Sequence, residues 1–152
     1  MVLSWLASGA AASACGTELL SCEIGSKRLS LCLTDRSVTY TFGPEAEPEL
    51  ALERDVLDVD YVPWAGVGRT LYESVRLENG GYVYEVWHGI DRLDLDAVLE
   101  GGVTVSRGEE SIAALRCDAG SAEGNIYPLF EAIEAAGRCF SLETRVWGAC
   151  GE

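Results

Sequence analysis

The sequence predicts a mainly β protein, an antiparallel β barrel or sandwich of about eight strands with one C-terminal helix, stabilised by disulfides. Three observations predict it. Short runs of period-two alternation recur along the chain, divided by glycine, proline, asparagine and aspartate. A single late stretch carries a helical period instead. Six cysteines stand at Cys15, Cys22, Cys32, Cys117, Cys139 and Cys150, two groups around a cysteine-free middle. An even count in a chain of 152 residues points to disulfides made outside the cytosol.

The first two runs are Leu20-Ser21-Cys22-Glu23-Ile24 and Leu29-Ser30-Leu31-Cys32-Leu33, with Gly25-Ser26-Lys27 between them, and they predict a hairpin. Asp35-Arg36-Ser37 turns the chain into a third strand, where Val38, Tyr40 and Phe42 share a face. Gly43-Pro44 and Pro48 bracket an acidic loop, after which Leu50 and Leu52 alternate with smaller or charged neighbours. Residues 63–69 read as a loop with two glycines and Trp64. The clearest hairpin follows. Leu71, Glu73, Val75 and Leu77 alternate with Tyr72, Ser74, Arg76 and Glu78, Asn79-Gly80 supplies residues that tolerate positive φ, and Tyr82 to Trp87 returns with aromatic and β-branched side chains. Gly102 to Val105 and Ile112 to Leu115 form a further pair across Arg107-Gly108-Glu109-Glu110. The helix is expected over Asn125 to Ala136: Ile126, Leu129, Phe130 and Ile133 make one apolar stripe, Asn125 caps it, Pro128 fits its first turn, and Gly137 fits its exit.

Residues 1–14, apolar and small and ending in Ala12-Ser13-Ala14, read as a secretory signal without its basic n-region, leaving residues 15–152 as one β domain. The destination is periplasmic or secreted. Cys15 directly after Ala14 is also where a lipid anchor would attach, although Ala12 stands where such sites carry leucine. Leaving Cys15 free for a disulfide keeps the cysteine count even. The pairings expected from position are Cys22–Cys32 across the first hairpin, Cys117–Cys139 from strand end to helix end, and Cys15–Cys150 between the termini. No Cys-x2-4-Cys pair announces zinc, no phosphate loop or other cofactor motif is present, and no apolar run is long enough for a transmembrane helix.

Against 25 acidic side chains stand 11 basic ones, for a formal charge of −14. That balance disfavours nucleic acid and anionic lipid as partners and favours a basic protein or cationic ligand. Seven acidic residues between Glu45 and Asp60 face only Arg54, a local net of −6. Asp91, Asp94, Asp96 and Glu100 form a second acidic group whose spacing departs from an EF-hand loop. His88, the sole histidine, lies in a strand with no nucleophile motif elsewhere in the chain, so it reads as a packed strand residue and not as a catalytic base. Trp64, Tyr72, Tyr82, Tyr84 and Trp87 make an aromatic cluster, partly core and partly available to stack on sugars or anchor a partner.

Tyr40-Thr41-Phe42-Gly43-Pro44, Asn79-Gly80-Gly81-Tyr82-Val83-Tyr84 and Ala114-Leu115-Arg116-Cys117 resemble segments of small secreted bacterial β proteins and, more distantly, of the periplasmic lysozyme inhibitors. Those inhibitors present a Ser-Gly-x-Tyr or Ser-Gly-x-x-Tyr loop to the lysozyme cleft. In this chain Asn79 or Gly80 stands where the serine would be. The resemblance implies an extracytoplasmic, non-enzymatic binding protein with a basic partner such as lysozyme, met through Asn79, Gly80, Gly81, Tyr82, Tyr84 and Trp64. An envelope structural or carbohydrate-binding module, and a small hydrolase using paired carboxylates, are the alternative readings.

Overall fold

A computed structural model describes residues 15–151; the signal segment expected over residues 1–14 lies outside them. The strands are β1 (Thr17–Ile24), β2 (Lys27–Thr34), β3 (Ser37–Gly43), β4 (Leu50–Asp55), β5 (Asp60–Val62), β6 (Thr70–Asn79), β7 (Tyr82–Asp91), β8 (Glu100–Arg107), β9 (Glu110–Arg116), β10 (Arg138–Phe140) and β11 (Trp147–Ala149), with helix α1 (Pro128–Ala135) between β9 and β10. Every ladder is antiparallel. β1 to β4 form one meander, β5 to β9 a second, and β10–β11 a small ribbon. The sheets stay open, so the barrel alternative is not formed. Eleven strands replace the eight expected among the described residues, because β5, β10 and β11 are three residues each and too short to show a period.

The alternation does the work the sequence assigned to it. Leu29, Leu31, Leu33, Val38 and Tyr40 of the first sheet are buried in one cluster with Val75, Leu77, Val86 and Val103 of the second. The rings of Tyr40 and Tyr84 meet across the two sheets at 5.8 Å. The β6–β7 turn falls one residue later than expected: Asn79 pairs with Tyr82, and Gly80 and Gly81 take the positive φ angles, 60° and 84°. Two such residues in succession are what a two-residue turn between twisted strands requires.

All three expected disulfide pairings are corrected. The bonds are Cys15–Cys32, Cys22–Cys117 and Cys139–Cys150. Cys22 pairs in register with Leu29 and shares its inward face, whereas Cys32 lies between inward Leu31 and Leu33 and therefore points outward. The two sulfurs are on opposite faces of the hairpin and cannot meet. Cys32 instead takes Cys15. Cys139–Cys150 closes the C-terminal ribbon, and Cys22–Cys117 links the first sheet to the end of β9. Three such bonds are the mark of an oxidising, extracytoplasmic compartment. Among the described residues no helix is long and apolar enough to cross a membrane.

After Cys117 the chain runs back along the outer edge of β1. Asp118 N–H donates to the carbonyl of Glu23 at 2.7 Å, and Ser21 and Glu123 exchange a pair of backbone bonds at 2.8 and 2.9 Å. Gly124 ends this strap with φ 127°, and a Cβ there would lie 2.5 Å from the carbonyl oxygen of Leu19. The helix begins later than expected. Asn125 Oδ1 accepts the N–H of Tyr127 at 3.0 Å, outside the helix, so it does not cap α1, which opens at Pro128 with Leu129 and Ile133 buried. Gly137 leaves the helix with φ 103°, as expected of an exit glycine.

Candidate functional site

On the inward face of the β6–β7 hairpin two polar side chains interrupt an apolar row. β6 sends Leu71, Glu73, Val75 and Leu77 inward, and β7 sends Tyr84, Val86, His88 and Ile90. Glu73 and His88 are direct cross-strand partners, and they are only 4% and 5% exposed. Burying such groups is costly unless they are paired and hydrogen-bonded. Here Glu73 Oε2 lies 2.7 Å from His88 Nε2, and Glu73 Oε1 accepts the hydroxyl of Tyr61 at 2.6 Å. Tyr61 arrives from β5, whose backbone is held from its other side by Trp147 Nε1–H, a donor to the Tyr61 carbonyl at 2.8 Å. Burial first, and then the bond to the Glu73 carboxylate, hold the Tyr61 phenol far above its ordinary range, so it stays a donor.

The Glu73–His88 pair forms the polar floor of a cavity of about 680 Å³. Trp64 and Pro63 close one side, Leu71, Ile90 and Leu99 another, and Tyr127, Phe130, Phe140 and Leu142 the third. The aromatic wall is a packed unit: Phe130 stacks on Tyr127 at 5.5 Å and meets Phe140 edge-on at 6.3 Å. At the rim, Tyr127 is half exposed and Leu142 is 82% exposed. Loop 63–69 is pinned by arginines. Arg92 lies 5.3 Å from the Trp64 ring and donates to the Gly68 carbonyl at 2.7 Å, Arg69 pairs with Asp91 at 2.6 Å, and Arg145 donates to the carbonyl of Ala65. Two buried polar side-chain atoms have no hydrogen-bond partner among the described residues, Trp64 Nε1 and His88 Nδ1. Both residues line this cavity.

The residues singled out from the sequence fall at two places. Asn79, Gly80, Gly81 and Tyr82 form the tip of the β6–β7 hairpin, with the Tyr82 ring under the Arg107 guanidinium at 5.2 Å. Tyr84 turns inward against Tyr40. Trp64 lies by the cavity at the opposite end of the hairpin, about 27 Å away by strand rise between Tyr82 and Ile90. Thus no single surface unites the set. The acidic groups are partly neutralised: Glu49 pairs with Lys27, Asp55 with Arg36, Asp60 with Arg76 and Glu100 with Arg116. Among the described residues no cluster of three or more histidine, cysteine or acidic side chains is placed to hold a metal ion.

Sequence reasoning set His88 aside as a packed strand residue and missed Glu73 and Tyr61. Their signal was available: counting back from Gly80-Gly81 places Glu73 opposite His88, two polar residues at apolar positions of facing strands. Comparison with protein-family models, curated proteins and solved structures finds no match for this chain.

Proposed function

We propose that this chain is a periplasmic or secreted binding protein, not an enzyme, which holds a small and largely apolar molecule in the cavity beside Trp64. The observation that carries the reading is the cavity itself, of a volume typical of small-molecule sites and lined mostly by aliphatic and aromatic side chains, with Asn125 and the Glu73–His88 pair as its polar members. The lining includes no serine, threonine, cysteine or lysine for the Glu73–His88 pair to activate, which favours binding over covalent catalysis. The pinned loop supports it too, since a wall held in place costs less ordering on binding. Titration with N-phenylnaphthylamine, a neutral probe that fluoresces in apolar surroundings, tests the reading. Saturable enhancement that is lost on filling the cavity with Ile90→Trp supports it; no saturable enhancement in the wild-type protein overturns it.

A second reading keeps the basic-protein partner, lysozyme foremost. It is favoured by the net charge of −14 and by the exposed Gly80-Gly81 tip beside Tyr82. Charge complementarity would speed the encounter and fade with salt. Retention of lysozyme activity in the presence of excess protein at low ionic strength ends that reading.

A further inference from the structure

We propose that the Cys139–Cys150 disulfide is a redox latch on the cavity. Closed, it holds the β10–β11 ribbon in place as a wall of the site; opened by a dithiol reductant, it lets that wall give way and the ligand leave. The inference rests on the cavity being a ligand site and adds how that site is regulated. The ribbon supplies Phe140 to the wall and, from the turn between its strands, Leu142. The same turn carries Arg145, which donates to the Ala65 carbonyl and so steadies the loop of Trp64. From β11, Trp147 holds the Tyr61 carbonyl at 2.8 Å, behind the Glu73–His88 floor. One ribbon thus reaches the aromatic wall, the loop of Trp64 and the strand that supports the floor.

Little besides the disulfide keeps the ribbon in shape. Its strands are three residues each, and among the described residues no ladder joins them to either sheet. A two-stranded hairpin is marginally stable at best in water. Without the crosslink, β10 and β11 are left with three residue pairs and the contact of the Phe140 and Trp147 rings at 5.2 Å. The turn beyond them is open to solvent, with Leu142 82% and Val146 58% exposed.

The bond is also within reach of a reductant. Cys150 is exposed and Cys139 half-buried, whereas Cys22 of the inter-sheet bond is fully buried. Exposed disulfides are the labile and regulatory ones. A thiolate of the dithiol attacks Cys150 Sγ, the S–S bond breaks, and Cys139 leaves as a thiolate that takes up a proton. The second thiol of the reductant then displaces Cys150, and the reductant closes to its own disulfide. Two electrons and two protons pass to the protein, and both cysteines end as thiols. In an oxidising compartment the closed latch is the resting state, and release waits on a dithiol delivered there.

Titration of the full chain with N-phenylnaphthylamine tests this with two paired variants. Cys139→Ser with Cys150→Ser is expected to weaken the probe about tenfold, the effect of a side chain or two that must be reordered on binding. Cys15→Ser with Cys32→Ser opens a loop of similar separation, 17 residues against 11, but on the outward face of the first sheet, and should leave the affinity as it was. In that second background, dithiothreitol should release bound probe as alkylation captures Cys139 and Cys150, with Cys22–Cys117 still closed. Three results overturn the latch while leaving the cavity a ligand site: wild-type affinity in the first variant, equal weakening in both, or release only once Cys22–Cys117 has opened as well. A wild-type protein that binds no probe removes both.

Discussion

Glu73 and His88 face each other directly across β6 and β7, and the carboxylate oxygen and ring nitrogen are 2.7 Å apart in an otherwise apolar layer. The pair is buried at the point where the hydrophobic row of the best-formed hairpin would otherwise continue unbroken from Val75 and Val86. It therefore sets both the floor of the cavity and the stability of the strands beneath it.

Removing one partner should cost more than removing both. Glu73→Ala leaves the His88 ring and the Tyr61 hydroxyl buried without an acceptor, and unfolding in urea should show a loss of about 3–5 kcal/mol. Glu73→Leu with His88→Leu keeps the volume and deletes the charged pair, leaving only the Tyr61 hydroxyl without its acceptor, and should recover part of that loss. A double variant no more stable than Glu73→Ala would mean the pair is not coupled in the fold.

The disulfides of longest and shortest separation should matter unequally. Cys22–Cys117 spans 95 residues and Cys139–Cys150 spans 11. Replacing the first pair by alanine is expected to cost about 4–5 kcal/mol, and the second about 2–3 kcal/mol, by the loop-entropy relation. Unreduced peptide mapping should recover Cys15–Cys32 alongside them. A Cys22–Cys32 peptide would overturn the inward and outward assignment of the first hairpin.

Gly124→Ala should destabilise far more than Gly80→Ala. Both glycines have positive φ, but only at Gly124 does a Cβ meet backbone, the Leu19 carbonyl, while space around Gly80 is open. The expected losses are about 3 kcal/mol and about 1 kcal/mol. Equal melting temperatures for the two variants would contradict the close packing of the strap on β1.

Acid should loosen the wall that carries Trp64. Hydrogen bonds from Arg69, and then from the Leu93 backbone, hold the Asp91 carboxyl below its usual range, as the Leu57 backbone and Arg36 do for Asp55. A depressed folded-state pKa contributes stability that is present above the unfolded value, about 3.9, and lost as pH falls through the folded value. Asp91→Asn should accordingly flatten the acid limb of the stability curve below about pH 4, with little change at pH 7 beyond the lost pairing. A variant whose acid limb matches the wild type would show that the Arg69–Asp91 pair does not persist in solution.

Much of the sheet order was legible because one face of each long strand is buried, which forces the period of two. Leu71 to Leu77 and Val38 to Phe42 show it without ambiguity. The same period accounts for the disulfide pairing: Leu29, Leu31 and Leu33 facing inward leave Cys32 outside. The site was less legible. Trp64, Tyr127, Phe140 and Leu142 come from segments far apart in the chain, and nothing local says they share a wall. β5 carries Tyr61 in three residues, too few for any period. The helix starts later than Asn125 suggests because asparagine caps a turn as readily as a helix, and here it serves the N–H of Tyr127 before Pro128 begins α1.

The strap from Asp118 to Glu123 has a consequence for how the protein must be made. It occupies the hydrogen-bonding rim of β1, and Cys22–Cys117 staples it at its start. Synthesis in a reducing cytosol would leave that staple open, and a peeled strap bares a row of unpaired amides and carbonyls, a template for strand addition between molecules. Heterologous production should therefore yield monomer from an oxidising host compartment and inclusion bodies from a reducing one.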